Sequence, residues 1–393
     1  MSDTLYRQCT RCVMDTTARA ISFDNNGECN YCREFDAAAL KTIKKPAAER
    51  QAYLKEVLDQ IREVGKDNEY DCIVGLSGGI DSSCVAVLSK EFNLRPLVVH
   101  FDNGWNSELA IKNIESLIRK LNYSLYTYVI NWDDFKELQL AYFRASVVDI
   151  EVATDQLIAA ALLDIAKKYN IKYILSGNNF RTEYIMPDAW VCKHKTDQTN
   201  LKNIYNRFGS GKKIKYPNIS ATEYYLMNEY YNIEFVPLLN LVDFDLDAMK
   251  SRLISEFDYR PYEYKHYESV FTRFYQGYIL PKKFNIDKRK AHLSNLICSG
   301  FITRDKALEE FKKPPYPEDQ QLADKEYVLK KWDLGEAEFD AIMQLPERSH
   351  DEFGFDTIDA WAKIKVKLRL IYLYKFAYPL KLKKPFKRFY FNG

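Results

Sequence analysis

The 393-residue sequence predicts an α/β fold: a parallel sheet with helices between its strands, a metal-held module before it and a largely helical region after it. Three observations carry this reading. From Tyr70 onward, apolar runs of strand length alternate with helix-length segments. A glycine turn, Ser77-Gly78-Gly79-Ile80-Asp81-Ser82-Ser83, joins the first strand to the first helix of that series. Near the start, the pairs Cys9/Cys12 and Cys29/Cys32 have sixteen residues between them.

The cysteine pairs come first. Each C-x-x-C supplies two sulfurs from one tight turn, and four sulfurs close a tetrahedron around Zn²⁺. Asp24-Asn25-Asn26-Gly27 supplies a turn between them. All four positions are cysteine, so no coordination place stays open and the role read here is structural. An iron–sulfur cluster or a redox dithiol is the competing reading. Residues 1–40 form this zinc-ribbon module. Residues 41–69 read as a helical connector, with apolar spacing over Tyr53 to Val64 and a break at Lys44-Lys45-Pro46.

Residues 70–190 read as the nucleotide-binding domain. Cys72 to Leu76 is a buried strand, and the helix after the glycine turn is read from Cys84. Strand, glycine turn and helix aim backbone N–H groups at an anion. Leu97 to Phe101 is a second strand, Ser107 to Leu121 a helix, Leu125 to Ile130 a third strand, Asp155 to Tyr169 a helix and Ile171 to Leu175 a fourth strand. Ligands in such sheets sit at the carboxyl ends of strands. Those ends carry His100, Asp102, Asn103 and Gly104, then Gly177, Asn178 and Glu183.

Residues 191–300 read as a substrate-binding region. Asp197 to Phe208 and Leu246 to Phe257 are helices, with a short extended piece at Val236 to Asn240. Lys265-His266-Tyr267-Glu268 and the run to Pro281 interleave charges with rings, as a sugar or nucleotide pocket does. A buried polar network is the alternative. Residues 301–393 read as a largely helical region, with Arg304 to Phe311 and Glu318 to Met343 as helices, a hinge at Lys312 to Pro317, and Trp361 to Tyr374 opening the basic tail. Ile364, Val366, Leu368 and Leu370 alternate with cations, a strand-like period that leaves this last segment open.

Composition excludes several classes. No apolar h-region and no run of about 18 apolar residues occurs, so the expectation is a cytoplasmic protein with neither secretory leader nor membrane span. Eight cysteines there suggest metal or redox chemistry rather than a disulfide frame. Net charge is +2, yet the ten cations after Asp359 meet no acid, leaving about −8 for the rest. That basic tail suits an anionic membrane surface, an acidic partner or plain solvation. The nucleotide-binding domain carries no basic stripe, so no nucleic acid is expected.

Ser-Gly-Gly-x-Asp-Ser after a strand resembles the pyrophosphate loop of the ATP pyrophosphatase (PP-loop) superfamily, carried by Ser77, Gly78, Gly79, Asp81 and Ser82. C-T-R-C-V-M-D-T-T, H-F-D-N-G-W, K-H-Y-E-S-V-F-T-R-F-Y-Q-G-Y-I-L-P and I-D-K-R-K-A-H-L-S extend the likeness. Together they look like the bacterial N-acetyl sugar amidotransferases of O-antigen and other surface-glycan pathways, over Cys9 to about Ala307. Glu263 and Tyr264 stand where that pattern prefers two glycines.

The resemblance implies a PP-loop (adenine nucleotide alpha hydrolase-like) fold, with ATP, Mg²⁺ and structural Zn²⁺. It implies transfer of AMP to an acetamido oxygen of a nucleotide-linked N-acetyl sugar, then displacement of AMP by ammonia. Ser77, Gly78, Gly79, Asp81, Ser82 and Ser83 would hold pyrophosphate. His100, Asp102 and Asn103 would border the adenosine, Gly177 and Asn178 the α-phosphate, and Glu183 the Mg²⁺. Lys265 and Arg273 are candidate anion contacts, and His266 and Glu268 candidate proton carriers. Cys192 lies outside any glycine-flanked nucleophile turn, and Ser2 rather than a cysteine would follow Met1. The chain thus looks unable to hydrolyse glutamine, and the resemblance implies a separate glutaminase with a barrel-type subunit to deliver ammonia, with free ammonium as the alternative. A tRNA thiolation enzyme and a non-enzymatic zinc adaptor are the competing functions.

Overall fold

The computed structural model describes residues 6–372 apart from 193 and 264. Its centre is a five-stranded, all-parallel sheet in the order β3-β2-β1-β4-β5. The strands are β1 Cys72–Gly75, β2 Pro96–Asp102, β3 Leu125–Val129, β4 Tyr173–Ser176 and β5 Glu234–Pro237. β1 is buried on both faces. Cys72, Val74 and Leu76 pack with Val85, Val98, Ile114 and Leu117, while Ile73 packs on the other side with Leu97, Val99, Leu163 and Ile174. A strand covered on both faces reads as an unbroken apolar run.

The fifth strand lies inside the segment read as the substrate-binding region, so the sheet continues past residue 190. Its signal is short, and Pro237 sits at the sheet's edge, where a missing N–H costs nothing. The helix Trp132–Ala145 was not anticipated; Asn131 caps it by accepting from the Asp134 N–H at 3.2 Å. Glu318–Trp332 and Glu336–Gln344 are two helices where one was read, broken at Asp333 in the left-handed conformation. The alternating tail segment is resolved as the helix Ala360–Tyr372. Of the tail cations, Lys375, Lys381, Lys383, Lys384, Lys387 and Arg388 lie outside the described residues.

The N-terminal module is pinned to the helical region. Arg304 donates to the carbonyls of Cys9 and Cys12, Lys290 pairs with buried Asp15 at 2.5 Å, and the Val13 N–H donates to Ser294 Oγ. No described helix is long and apolar enough to cross a membrane.

Candidate active site

Strand order reverses direction between β1 and β4, and the crevice at their carboxyl ends is where this architecture binds ligands. The loop after β1 and the loop after β4 meet there. Gly78 has φ +83°, and a Cβ on it would come within 2.7 Å of the Ala110 carbonyl. Only glycine lets this loop lie against the start of the helix Glu108–Leu121. A Cβ on Gly177 would come within 3.1 Å of the Ser82 nitrogen, so the two loops are in close contact.

The helix after the loop begins at Ile80, not at Cys84, with Gly79 as its N-cap. Asp81, Ser82 and Ser83 therefore occupy its first turn. Ser77 is exposed, and its hydroxyl accepts from the Gly79 N–H at 3.2 Å. Ser83 departs from its expected role: it is fully buried and its hydroxyl donates to the Gly79 carbonyl at 2.7 Å. It holds the turn rather than facing an anion.

Lys265 enters this crevice from the segment after the sheet. Its Nζ is 2.8 Å from Glu183 Oε1, 3.3 Å from Thr182 Oγ1 and 3.9 Å from Asp81 Oδ2. Asn179, buried at the end of β4, donates to Asp81 Oδ1 at 3.3 Å. Burial pushes Asp81 up, outweighing the attraction of Lys265. Burial pushes Glu183 up too, but Lys265 and His266 more than reverse it and hold it below the usual carboxylate range. Burial lowers Lys265, and Glu183 with Asp81 more than offsets that, leaving it raised.

His266, held in the left-handed region at φ +65°, places Nδ1 3.5 Å from Glu268 Oε1. Glu268 lies over the loop: a Cβ on Gly79 would come within 3.2 Å of its Oε1. Burial raises Glu268, and its hydrogen bond and charge contact with His266 bring it below its ordinary value. The main chain around it is stitched to the β2 loop, since Ser107 N–H donates to the Glu268 carbonyl and Val270 N–H to the Trp105 carbonyl.

His100 is buried, with Nδ1 3.0 Å from the Leu76 carbonyl and Nε2 3.3 Å from Asn106 Nδ2. Burial lowers its pKa, so it is a neutral tether between β2 and β1. Asp102 and Asn103 order the following turn by accepting from Gly104 and Trp105 N–H groups. Asn178 is exposed at the end of β4. Arg273 lies elsewhere: it forms a two-pronged ion pair with Asp324 at 2.7 Å, both nearly buried, and sits over the Tyr267 ring.

Three site residues were not singled out from the sequence. Asn179 was seen only as strand-end polarity. Tyr262 donates its hydroxyl to the Gly78 carbonyl at 3.2 Å, and nothing local marks it. His292 places Nδ1 3.4 Å from the Thr182 carbonyl; burial, then Lys265 and His266, lower it to about 3, so it stays neutral.

The four N-terminal sulfurs lie within 4.8 Å of one another, with neighbouring separations of 3.6, 3.7 and 4.0 Å. A tetrahedron with Zn–S bonds of about 2.3 Å has edges of about 3.8 Å, so the site fits zinc. Backbone N–H groups of Cys12, Met14 and Cys29 point at these sulfurs. Sequence reasoning left Cys298 unassigned, yet its Sγ lies 3.7 Å from that of Cys32.

Fold and loop together define an ATP-binding PP-loop domain of NAD synthase type, and residues 52–186 match the NAD synthase family model. Residues 268–367 match the model described as "LPS biosynthesis protein WbpG-like, C-terminal domain". The chain thus joins an NAD synthase-like domain to a WbpG-like C-terminal domain. An uncharacterized protein of Methanocaldococcus jannaschii is 23% identical over 46% of this chain; the chain spans 64% of that relative's length. An NMN synthetase of Francisella tularensis is similar at 20% identity and TM-score 0.29, over 47% of this chain and 71% of that one. An NH3-dependent NAD synthetase of Campylobacter jejuni is similar at 16% identity and TM-score 0.28, over 52% and 82%.

Proposed function

We propose that the chain is an ATP-dependent amidotransferase that converts the acetamido group of a nucleotide-linked N-acetyl sugar into an acetamidino group. One observation carries this reading. Glu268, the first residue of the WbpG-like segment, lies against Gly79 of the PP-loop, and Lys265 lies between Glu183 and Asp81. The start of the WbpG-like segment thus meets the NAD synthase-like domain at one crevice, which supports a shared site for sugar and ATP.

An amide is a poor electrophile, and its oxygen leaves poorly. Attack of that oxygen on the α-phosphate of ATP forms an O–P bond and releases pyrophosphate. The N–H groups around Gly78 and Gly79 and the hydroxyl of Ser77 would hold the departing anion. Fixed donors aimed at developing charge are the main source of rate enhancement in such sites. Ammonia then adds to the activated carbon, and AMP leaves with the former acetamido oxygen. The His266–Glu268 pair would take the proton that ammonia loses. Lys265 would balance charge beside the α-phosphate. Mg²⁺ would share the oxygens of Asp81 and Glu183 with Lys265 and neutralise phosphate charge. Zinc at Cys9, Cys12, Cys29 and Cys32 would hold the N-terminal module and stay outside the reaction.

Ammonia would come from a separate glutaminase with a barrel-type subunit, or from free ammonium. Burial pushes the Cys192 thiol up to about 12, and burial likewise raises Cys72 and Cys84. These are poor thiolate nucleophiles. The same burial weighs against thiolation chemistry at Cys192.

The test incubates the protein with Mg²⁺-ATP, ammonium and a panel of nucleotide-linked N-acetyl sugars. Sugar-dependent pyrophosphate release with an O-to-NH mass change supports the reading. Pyrophosphate release with bulk tRNA and no sugar overturns it.

A further inference from the structure

The helix Ala360–Tyr372 leaves one apolar stripe without a partner among the described residues. Ala362 and Val366 pack inward, but Trp361, Ile364 and Leu368 are 66%, 47% and 57% exposed. At about 100° per residue these three fall within a stripe roughly 60° wide. Lys363 and Lys367, both exposed, run along one border of it. Lys365 and Arg369 run along the other, over the Tyr230 ring at 4.4 and 4.9 Å. There a groove of about 370 Å³ is lined by Tyr230, Trp361, Lys365, Leu368 and Arg369.

An apolar stripe bordered by cations on both sides is the pattern of a helix lying in a membrane interface. Tryptophan suits that depth, with its ring in the acyl boundary and its N–H in the headgroup layer. Charge selects the occupant. No acid follows Asp359, and the sequence adds Lys375, Lys381, Lys383, Lys384, Lys387 and Arg388 beyond the helix. We infer that the helix Ala360–Tyr372 docks the protein on anionic phospholipid membranes. The apolar stripe inserts, and the flanking cations meet lipid phosphates. Each lysine near an anionic surface contributes about fivefold in binding.

Sedimentation with vesicles tests this on the full chain. Phosphatidylcholine vesicles are compared with vesicles of phosphatidylcholine mixed with phosphatidylglycerol. The protein is expected to pellet with the anionic vesicles only and to be released by salt. Replacing Ile364 and Leu368 together by Gln, or Lys363 and Lys367 together by Gln, should each weaken binding at least roughly tenfold. These side chains are exposed, so pyrophosphate release without vesicles should be unchanged and reports that the variants fold. Equal binding to both vesicle types, indifference to both double substitutions, or no pelleting with anionic vesicles overturns the proposal. In the last case the stripe belongs to a protein partner.

Discussion

Lys265 Nζ lies 2.8 Å from Glu183 Oε1, joining the segment after the sheet to the carboxyl end of β4. Removing the cation takes away the nearest counter-charge of both Glu183 and Asp81. Lys265→Met should lower pyrophosphate release about 100-fold. Glu183 is 38% exposed, so screening limits the stability loss to about 1–2 kcal/mol. Steady-state kinetics and thermal unfolding separate the two effects.

The same pair sets a pH window. The depressed pKa of Glu183 contributes stability above its unfolded value of about 4.3, lost as pH falls through the folded value. The raised pKa of Lys265 contributes stability below its unfolded value of about 10.4, lost as pH rises through the folded value. The pair's own contribution to the unfolding free energy should therefore be flat between these limits and fall beyond them. Set against the unaltered protein, Lys265→Met should remove the alkaline loss and shrink the acidic one, because burial alone raises Glu183.

Gly78→Ala should cost about 2 kcal/mol or more, because φ +83° and a 2.7 Å approach to the Ala110 carbonyl both oppose a side chain. ATP-dependent activity should fall with it. Gly79→Ala meets only the movable side chains of Glu268 and Ser77. It should leave the unfolding midpoint nearly unchanged while lowering pyrophosphate release about tenfold, by crowding the anion cradle.

Arg273→Ala should act on stability. Its bidentate partner Asp324 is nearly buried, and leaving that carboxylate unpaired costs about 3–5 kcal/mol. Replacing both residues with apolar ones of similar volume should recover much of the loss. A selective fall in turnover at unchanged stability would return Arg273 to the anion-contact role first read for it.

Metal analysis should find about one zinc per chain, as the four-sulfur site fits, and Cys32→Ser should lower that content. It should also lower the unfolding midpoint, because the turns that carry the four sulfurs present the Cys9 and Cys12 carbonyls to Arg304.

The sheet was legible where the signal is local and apolar. β1, its loop and the strand ends at Asp102 and Gly177 follow from runs of residues that must be buried or must turn. β5 was read only as an extended piece because Glu234–Pro237 is a four-residue edge strand, specified by its pairing with β4. The last helix was ambiguous because Val366 faces the protein while Ile364 and Leu368 face outward, so apolar residues on two faces imitate a period of two. In the site, Lys265, His266 and Glu268 were marked by residue type and by the resemblance. Their meeting with Gly79, Asp81 and Glu183 is a tertiary fact. Arg273 shares their stretch and their type, but its surroundings, supplied by Asp324 some fifty residues on, give it a different task.

The most direct test follows the acetamido oxygen. Once the sugar panel identifies a substrate, the acetamido group is labelled with heavy oxygen and the reaction is run with ammonium. Mass spectrometry of the released AMP should find the label in its phosphate, because that oxygen attacks the α-phosphate and leaves with it. Label found in water or retained in the sugar product, with unlabelled AMP, would contradict adenylation of the acetamido group.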